Sequence, residues 1–161
     1  MFLNSQKILT FILEQQRFAI HLEAIERVIR AQAITKLTDS PHFIEGVIDY
    51  HGEVIAVINL RKRLGYPFTE IKLSDRLIIV KSPNRKLALI VDEIEDIVLP
   101  DTNDLFESKE IDSGLKYANI LRDNKGIVFI YDLEKLLSKV EEIELKQIIE
   151  TYFSVNYNNE A

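Results

Sequence analysis

Gly46-Val47-Ile48-Asp49-Tyr50-His51-Gly52-Glu53-Val54-Ile55-Ala56-Val57-Ile58-Asn59-Leu60 is the stretch whose reading decides the fold. Val54 to Ile58 is a short, mostly β-branched apolar run, and His51-Gly52-Glu53 before it is a turn signal. β-Branched residues pack well on a pleated surface, so short runs of them bounded by turn formers read as strands. Gly52 lies between two such strands and supplies, without steric cost, the positive φ that a tight hairpin demands. The hairpin runs into Leu60 to Leu64, a single basic helical turn stopped by Gly65 and Pro67.

The same pattern extends in both directions. Ile8 to Leu13, Leu77 to Val80, Leu87 to Val91 and Ile127 to Tyr131 are further short apolar runs. Glu14-Gln15-Gln16, Ser82-Pro83-Asn84 and Asp123-Asn124-Lys125-Gly126 punctuate them, with Gly46, Gly52 and Gly126 expected at structural turns. Many short strands with little helix between them predict a mostly β barrel or sandwich. Leu22, Ile25, Val28 and Ile29 fit one face of a short helix. After Asp132, two apolar stripes are rotated by roughly 100°, which predicts a short helix at 133–137 and a second from about 139 to 153. Ser138 and Glu141 have the spacing of a capping box at the second start. The tail 156–161 is expected to fray.

The chain also resembles itself. Arg17 to Ile29 lies over Lys86 to Val98 at an offset of 69 residues, and the preceding strands obey the same offset. Gly46 to Leu64 lies over Asn119 to Leu137 at an offset of 73. This predicts one folded domain over 1–161 with repeated subdomains at about 7–75 and 76–137, followed by a helical segment at 138–155. A unit of about 60 residues buries little surface alone, so the halves are expected to share a core.

Composition narrows the chemistry. The chain has 161 residues, 47% hydrophobic and 29% charged, which is globular. Twenty-six acidic residues against 20 basic give a net charge of -6, which disfavours nucleic acid as a partner. There is no cysteine, hence no disulfide, thiolate metal site or cysteine nucleophile. No apolar run approaches the about 18 residues that a membrane helix needs, so no direct membrane insertion is expected. With no signal peptide, the expected compartment is the cytoplasm. No phosphate loop, nucleophile elbow or metal spacing among His21, His42 and His51 is present, so no catalytic, cofactor or metal residue is assigned.

The opening stretch, taken with Phe18-Ala19-Ile20, Ser40-Pro41-His42-Phe43-Ile44-Glu45-Gly46, Val91-Asp92-Glu93-Ile94 and Ile130-Tyr131-Asp132-Leu133-Glu134-Lys135-Leu136-Leu137, resembles the CheW-like family of chemotaxis coupling proteins. The resemblance spans roughly residues 8 to 145. It implies two intertwined five-stranded SH3-like β-barrels with short helices and a C-terminal helix. It also implies a non-catalytic adaptor that couples methyl-accepting chemoreceptor tips to the regulatory domain of a CheA-type histidine kinase. That places the protein in receptor arrays at the inner face of the membrane. This chain departs from the family at Asp49-Tyr50-His51, where Asn-Leu-Arg is usual, at Ala56 and Asn59, where Pro and Asp are usual, and at Arg27, where Glu is frequent. A diverged scaffold in a parallel motility or adhesion pathway is the alternative.

The partner-binding groove that the resemblance implies is assigned to Ile25, Arg27, Val28, His51, Gly52, Leu77, Ile94 and Ile97. Ile25 and Val28 match Ile94 and Ile97 across the repeat, as a groove between equivalent barrels requires. Asp92, Glu93, Glu95 and Asp96 read as a solvated edge that blocks strand aggregation. Arg61-Lys62-Arg63 reads as a polar helix face or a docking patch for an acidic partner. Glu141, Glu142 and Glu144 are favoured by the helix dipole in the first turn of the second C-terminal helix. A reading from another class, a small barrel that binds a metabolite or hydrolyses a substrate, requires a deep pocket lined by histidine and carboxylates.

Overall fold

A computed structural model describes residues 6–67, 69–107 and 117–159 of the chain. In chain order the strands are β1 (Ile8–Leu13), β2 (Gln16–His21), β3 (Ile25–Arg30), β4 (Ile44–Tyr50), β5 (Glu53–Asn59), β6 (Arg76–Lys81), β7 (Lys86–Val91), β8 (Glu93–Val98), β9 (Leu105–Glu107), β10 (Tyr117–Asp123) and β11 (Gly126–Tyr131). Helix α1 is Leu60–Arg63 and α2 is Lys139–Asn159. The first sheet runs β8-β1-β2-β11-β10-β9 and the second β3-β6-β7-β5-β4. The first therefore carries a sixth strand beyond the five expected, the three-residue β9.

Neither sheet is built from one repeat alone. The first hairpin of the first half, β1–β2, pairs with β8 and β11 of the second half. The first hairpin of the second half, β6–β7, pairs with β3 and β5 of the first. Each half thus lends its leading hairpin to the other, and the chain crosses between barrels at β2–β3 and at β7–β8. The register repeats with the topology. Leu9 opposes Ile97 and Thr10 opposes Asp96, as Ile78 opposes Val28 and Ile79 opposes Arg27. The parallel pairs Phe18 with Phe129 and Leu87 with Ala56 obey the two sequence offsets. Even the bulges recur, at Ile25/Arg27 and Thr10/Phe11, and at Ile44/Gly46 and Tyr117/Asn119. Chance similarity between two hairpins does not predict matching bulges.

Alternation along the strands explains why the halves cannot separate. Successive side chains point to opposite faces. Leu87, Leu89 and Val91 of β7 face a central core shared with Phe11, Leu13, Phe18 and Ile20. Ala88 and Ile90, between them, face the interior of the second barrel with Leu77, Ile79 and Val57. Ile8, Ala19, Leu121, Val128 and Ile130 fill the first barrel. Strands buried on both faces read as continuous apolar runs, which is what the sequence shows.

Two expectations are corrected. Leu22 to Ile29 is not an amphipathic helix: only Leu22–Ala24 makes a 3-10 turn, and Ile25–Arg30 is strand β3. The bulge at Glu26 shifts the alternation by one residue, so that Ile25 and Val28 share a face at a spacing that mimics helical periodicity. Gly46 is not in a turn. It lies within β4, where the isolated bridge Thr35–Val47 brings backbone against backbone. Its φ is +150°, and a Cβ there would meet the Thr35 carbonyl oxygen. Gly52 (φ +81°) and Gly126 (φ +121°) do sit at hairpin turns.

The C-terminal expectation holds in kind. A 3-10 turn covers Leu133–Lys135, then α2 begins with the capping box: Ser138 N–H donates to Glu141 Oε1 (2.8 Å) and Glu141 N–H to Ser138 Oγ (3.1 Å). With no Gly or Pro to stop it, α2 extends to Asn159, past the predicted end. Residues 160 and 161 of the tail lie outside the described residues.

Candidate protein-interaction surface

Strands β3 and β8 are the edges of their sheets, and each begins where the chain crosses between barrels. Cross-strand partners share a face. Ile25 pairs with Val80 and Val28 with Ile78, so both look towards the central core, as do Ile94 beside Phe11 and Ile97 beside Leu9. Ile25 and Ile94 pack against that core. Further along each strand the cover ends, leaving Val28 37% and Ile97 56% exposed. The same apolar step from packed to exposed is thus presented twice. Leu77 is corrected: it is fully buried in the second barrel and offers no atom to a partner.

His51 and Gly52 form the two-residue tip of the β4–β5 hairpin, both with positive φ. Asp49 shapes the tip by accepting from Gly52 N–H at 2.8 Å. The exposed His51 ring rests edge-on to Tyr50, centroids 4.5 Å apart. Next to this tip, Lys86 bridges Glu26 and Glu53, both at 3.1 Å. The bond from Lys86, followed by lesser charge effects and a bond with Tyr50, holds the Glu26 carboxyl below its ordinary value despite some desolvation. Arg27 follows Glu26 and is exposed on β3. The pseudo-equivalent of Lys86 is Arg17, which pairs with Glu95 at 2.8 Å and Asp123 at 2.7 Å.

The charge clusters are corrected. Arg61, Lys62 and Arg63 are not a docking patch. Arg61 is 97% covered and joins Asp75 (3.1 Å) to Asp92 (2.7 Å); Lys62 meets Glu45 and Arg63 grips Glu141 with two bonds of 3.0 Å. Glu141 therefore ties α2 to α1 as well as capping it, and Glu142 holds Arg85. The acidic run on β8 does lie on a sheet edge, yet Asp92 and Glu95 are spent on Arg61 and Arg17 rather than solvated.

A cavity of about 500 Å³ opens at the β2–β3 crossover, between the β6–β7 turn and the end of β11. His21, Glu23, Lys81, Tyr131, Asp132 and Glu134 line it, with Ala24, Pro83 and Leu133 as apolar wall. None of these was assigned to a site from the sequence. The signal was available in the repeat offsets, which set Glu23 and Glu134 over Asp92 and Arg61. At the cavity's edge the Ser82 hydroxyl donates to Arg85 C=O at 2.7 Å and accepts from Arg85 N–H, which ties down the β6–β7 turn. Burial of the Tyr131 hydroxyl raises its pKa, which keeps it neutral.

Residues 7–141 match the family model described as the CheW-like domain. The chain belongs to the CheW-like family. It is 30% identical over 146 residues to Chemotaxis protein CheW of Thermotoga maritima, covering 90% of this chain and 94% of that one. It is 27% identical to Chemotaxis protein CheW of Bacillus subtilis, over 84% of this chain and 89% of that one. The crystal structure of the scaffolding protein TtCheW from Thermoanaerobacter tengcongensis superposes with a TM-score of 0.79 at 27% identity, covering 85% and 95% of the two chains. The fold is thus that of a CheW scaffold, two intertwined SH3-like barrels. The unusual Asp49-Tyr50-His51 of this CheW-like chain is explained locally: Asp49 builds the tip and Tyr50 is buried in the second barrel. Among the described residues no helix is long and apolar enough to cross a membrane, and no group of His, Asp or Glu is placed to hold a metal ion.

Proposed function

We propose that this protein is a non-catalytic coupling adaptor that holds a chemoreceptor tip and the regulatory domain of a CheA-type histidine kinase in one complex on the cytoplasmic side of the membrane. The observation that carries the reading is the CheW-like match across both barrels and both crossovers, rather than over one barrel. Exposed apolar side chains at equivalent sites, Val28 and Ile97, support it, because apolar anchors on edge strands favour a protein partner. The exposed tip residues His51 and Gly52, and the exposed Arg27 on β3, add polar surface of this chain's own composition.

The test is co-purification of the full chain with receptor cytoplasmic fragments and with the kinase regulatory domain from the same organism. The parent chain is expected to retain both. Val28→Glu or Ile97→Glu is expected to weaken receptor retention at least about tenfold, the weight of an interface anchor. Normal retention by both variants would remove these strands from the interface. Ile25 and Ile94 make poorer probes, since their contact with the central core couples substitution to stability.

A further inference from the structure

The two crossovers are equivalent by sequence offset and strand register, yet one is filled and the other open. At the β7–β8 crossover, the guanidinium of Arg61 occupies the site: Nη1 meets Asp92 at 2.7 Å and Nη2 meets Asp75 at 3.1 Å. At the β2–β3 crossover the residue equivalent to Asp92 is Glu23, and the residue equivalent to Arg61 is Glu134. Both line the 500 Å³ cavity. Where the first site sets a guanidinium between two carboxylates, the second has carboxylates at both equivalent positions, and Gln6, the equivalent of Asp75, donates to Glu23 Oε1 at 3.3 Å.

The lining carboxylates outnumber the single ammonium, that of Lys81. Asp132 adds a third carboxylate, oriented by the bond it accepts from Glu134 N–H (3.0 Å), with Lys135 at 3.8 Å. The Nδ1 atom of His21, another lining residue, is buried and has no hydrogen-bond partner. The Lys81 ammonium is shared with Glu26 on β3, whose carboxyl it helps to hold below its ordinary value. Leu133, Pro83 and Ala24 offer an apolar channel for an aliphatic stem.

We propose that this cavity receives an arginine side chain from a partner protein, which supplies from outside the cation that Arg61 supplies from within at the other crossover. A planar fork of donors matches a set of carboxylates better than a point-charge ammonium does. The equivalent site in the same chain uses a guanidinium in that bridging role. This site is distinct from the strand edges invoked above, and its test uses neither kinase nor receptor, so failure of one reading leaves the other standing.

The experiment titrates isotope-labelled full chain with N-acetyl-arginine amide and, separately, N-acetyl-lysine amide, following backbone amide resonances. Saturable shifts are expected at residues 21–24 and 131–134, with the lysine probe at least about fivefold weaker. Glu134→Gln is expected to weaken the arginine probe several-fold. Glu134→Arg is expected to abolish binding, because its new guanidinium reaches Glu23 as Arg61 reaches Asp92. Glu134 is exposed, and unchanged melting temperatures would show that both variants fold. Shifts scattered over the acidic surface, no saturable shift, equal response to both probes, or an unimpaired Glu134→Arg variant would each overturn the proposal.

Discussion

The two barrels share one strand plan and one register, but they are closed and charged differently. In the second barrel the segment after β3 bridges Thr35 to Val47, and Gly46 makes room for it. At the equivalent position the first barrel has Asn119, which pairs with Glu107 of the extra strand β9. A glycine is thus demanded where φ is positive and the Thr35 carbonyl oxygen takes the place of a Cβ, not wherever strands pair. The ion pairs differ likewise. Arg17 with Glu95 and Lys86 with Glu26 are equivalent pairs, but the first is the more buried. The repeat conserves geometry, while local chemistry decides how each half is closed and charged.

The largest effect that can break this comparison is at the filled crossover. Arg61→Ala leaves Asp75, itself almost fully buried, without its cation, and removing one member of a buried pair costs about 3–5 kcal/mol. The equivalent Glu134→Ala is expected to change stability by less than about 0.5 kcal/mol. Chemical denaturation of both variants checks the contrast, and equal losses would show that the crossovers are not differentiated. Next in size is Gly46→Ala. Strain at positive φ costs about 1–3 kcal/mol, and the contact with Thr35 C=O adds to it, whereas Asn119→Ala is expected to cost less.

The acid response is a smaller effect. The Arg17 bond holds the Asp123 carboxyl below its usual value, against some desolvation. Burial pushes Glu95 up, but the bonds from Arg17 and Thr10 outweigh it and the net shift is downward. Groups with depressed folded values stabilise the protein fully above their unfolded values and lose that contribution as pH falls through the folded ones. Stability should therefore drop as pH falls from about 4.5, the unfolded carboxylate range. Arg17→Met should flatten that drop by about 1 kcal/mol, while Lys86→Met, at a more exposed site, should barely alter it. Melting curves between neutral and acid pH make the comparison, and an unchanged slope for Arg17→Met would contradict it.

Much of the fold was legible because strands buried on both faces leave apolar runs that turn residues punctuate. The offsets between Arg17–Ile29 and Lys86–Val98 were legible for the same reason. β3 was misread because the bulge at Glu26 gives a strand a spacing that resembles a helix. β9, only three residues long, has no periodicity to read. Of the residues assigned to a groove from the sequence, Val28 and Ile97 are exposed. The surface was not legible in Leu77, because a run of apolar strand residues does not say which face is shared and which is interior. The basic triplet looked available only because its acidic partners, Asp75, Asp92 and Glu141, are distant in sequence.

The smallest effects on stability carry the largest meaning for function. Val28→Glu and Ile97→Glu alter edge positions where the cover of the core ends, and should cost far less stability than Arg61→Ala. The most direct measurement is therefore whether the full chain forms a ternary complex with a chemoreceptor cytoplasmic fragment and the regulatory domain of a CheA-type kinase from its own organism, followed by co-sedimentation. The parent chain is expected to hold both partners in one complex, and Val28→Glu or Ile97→Glu to keep the kinase domain while losing the receptor. A folded parent chain that retains neither partner would contradict it.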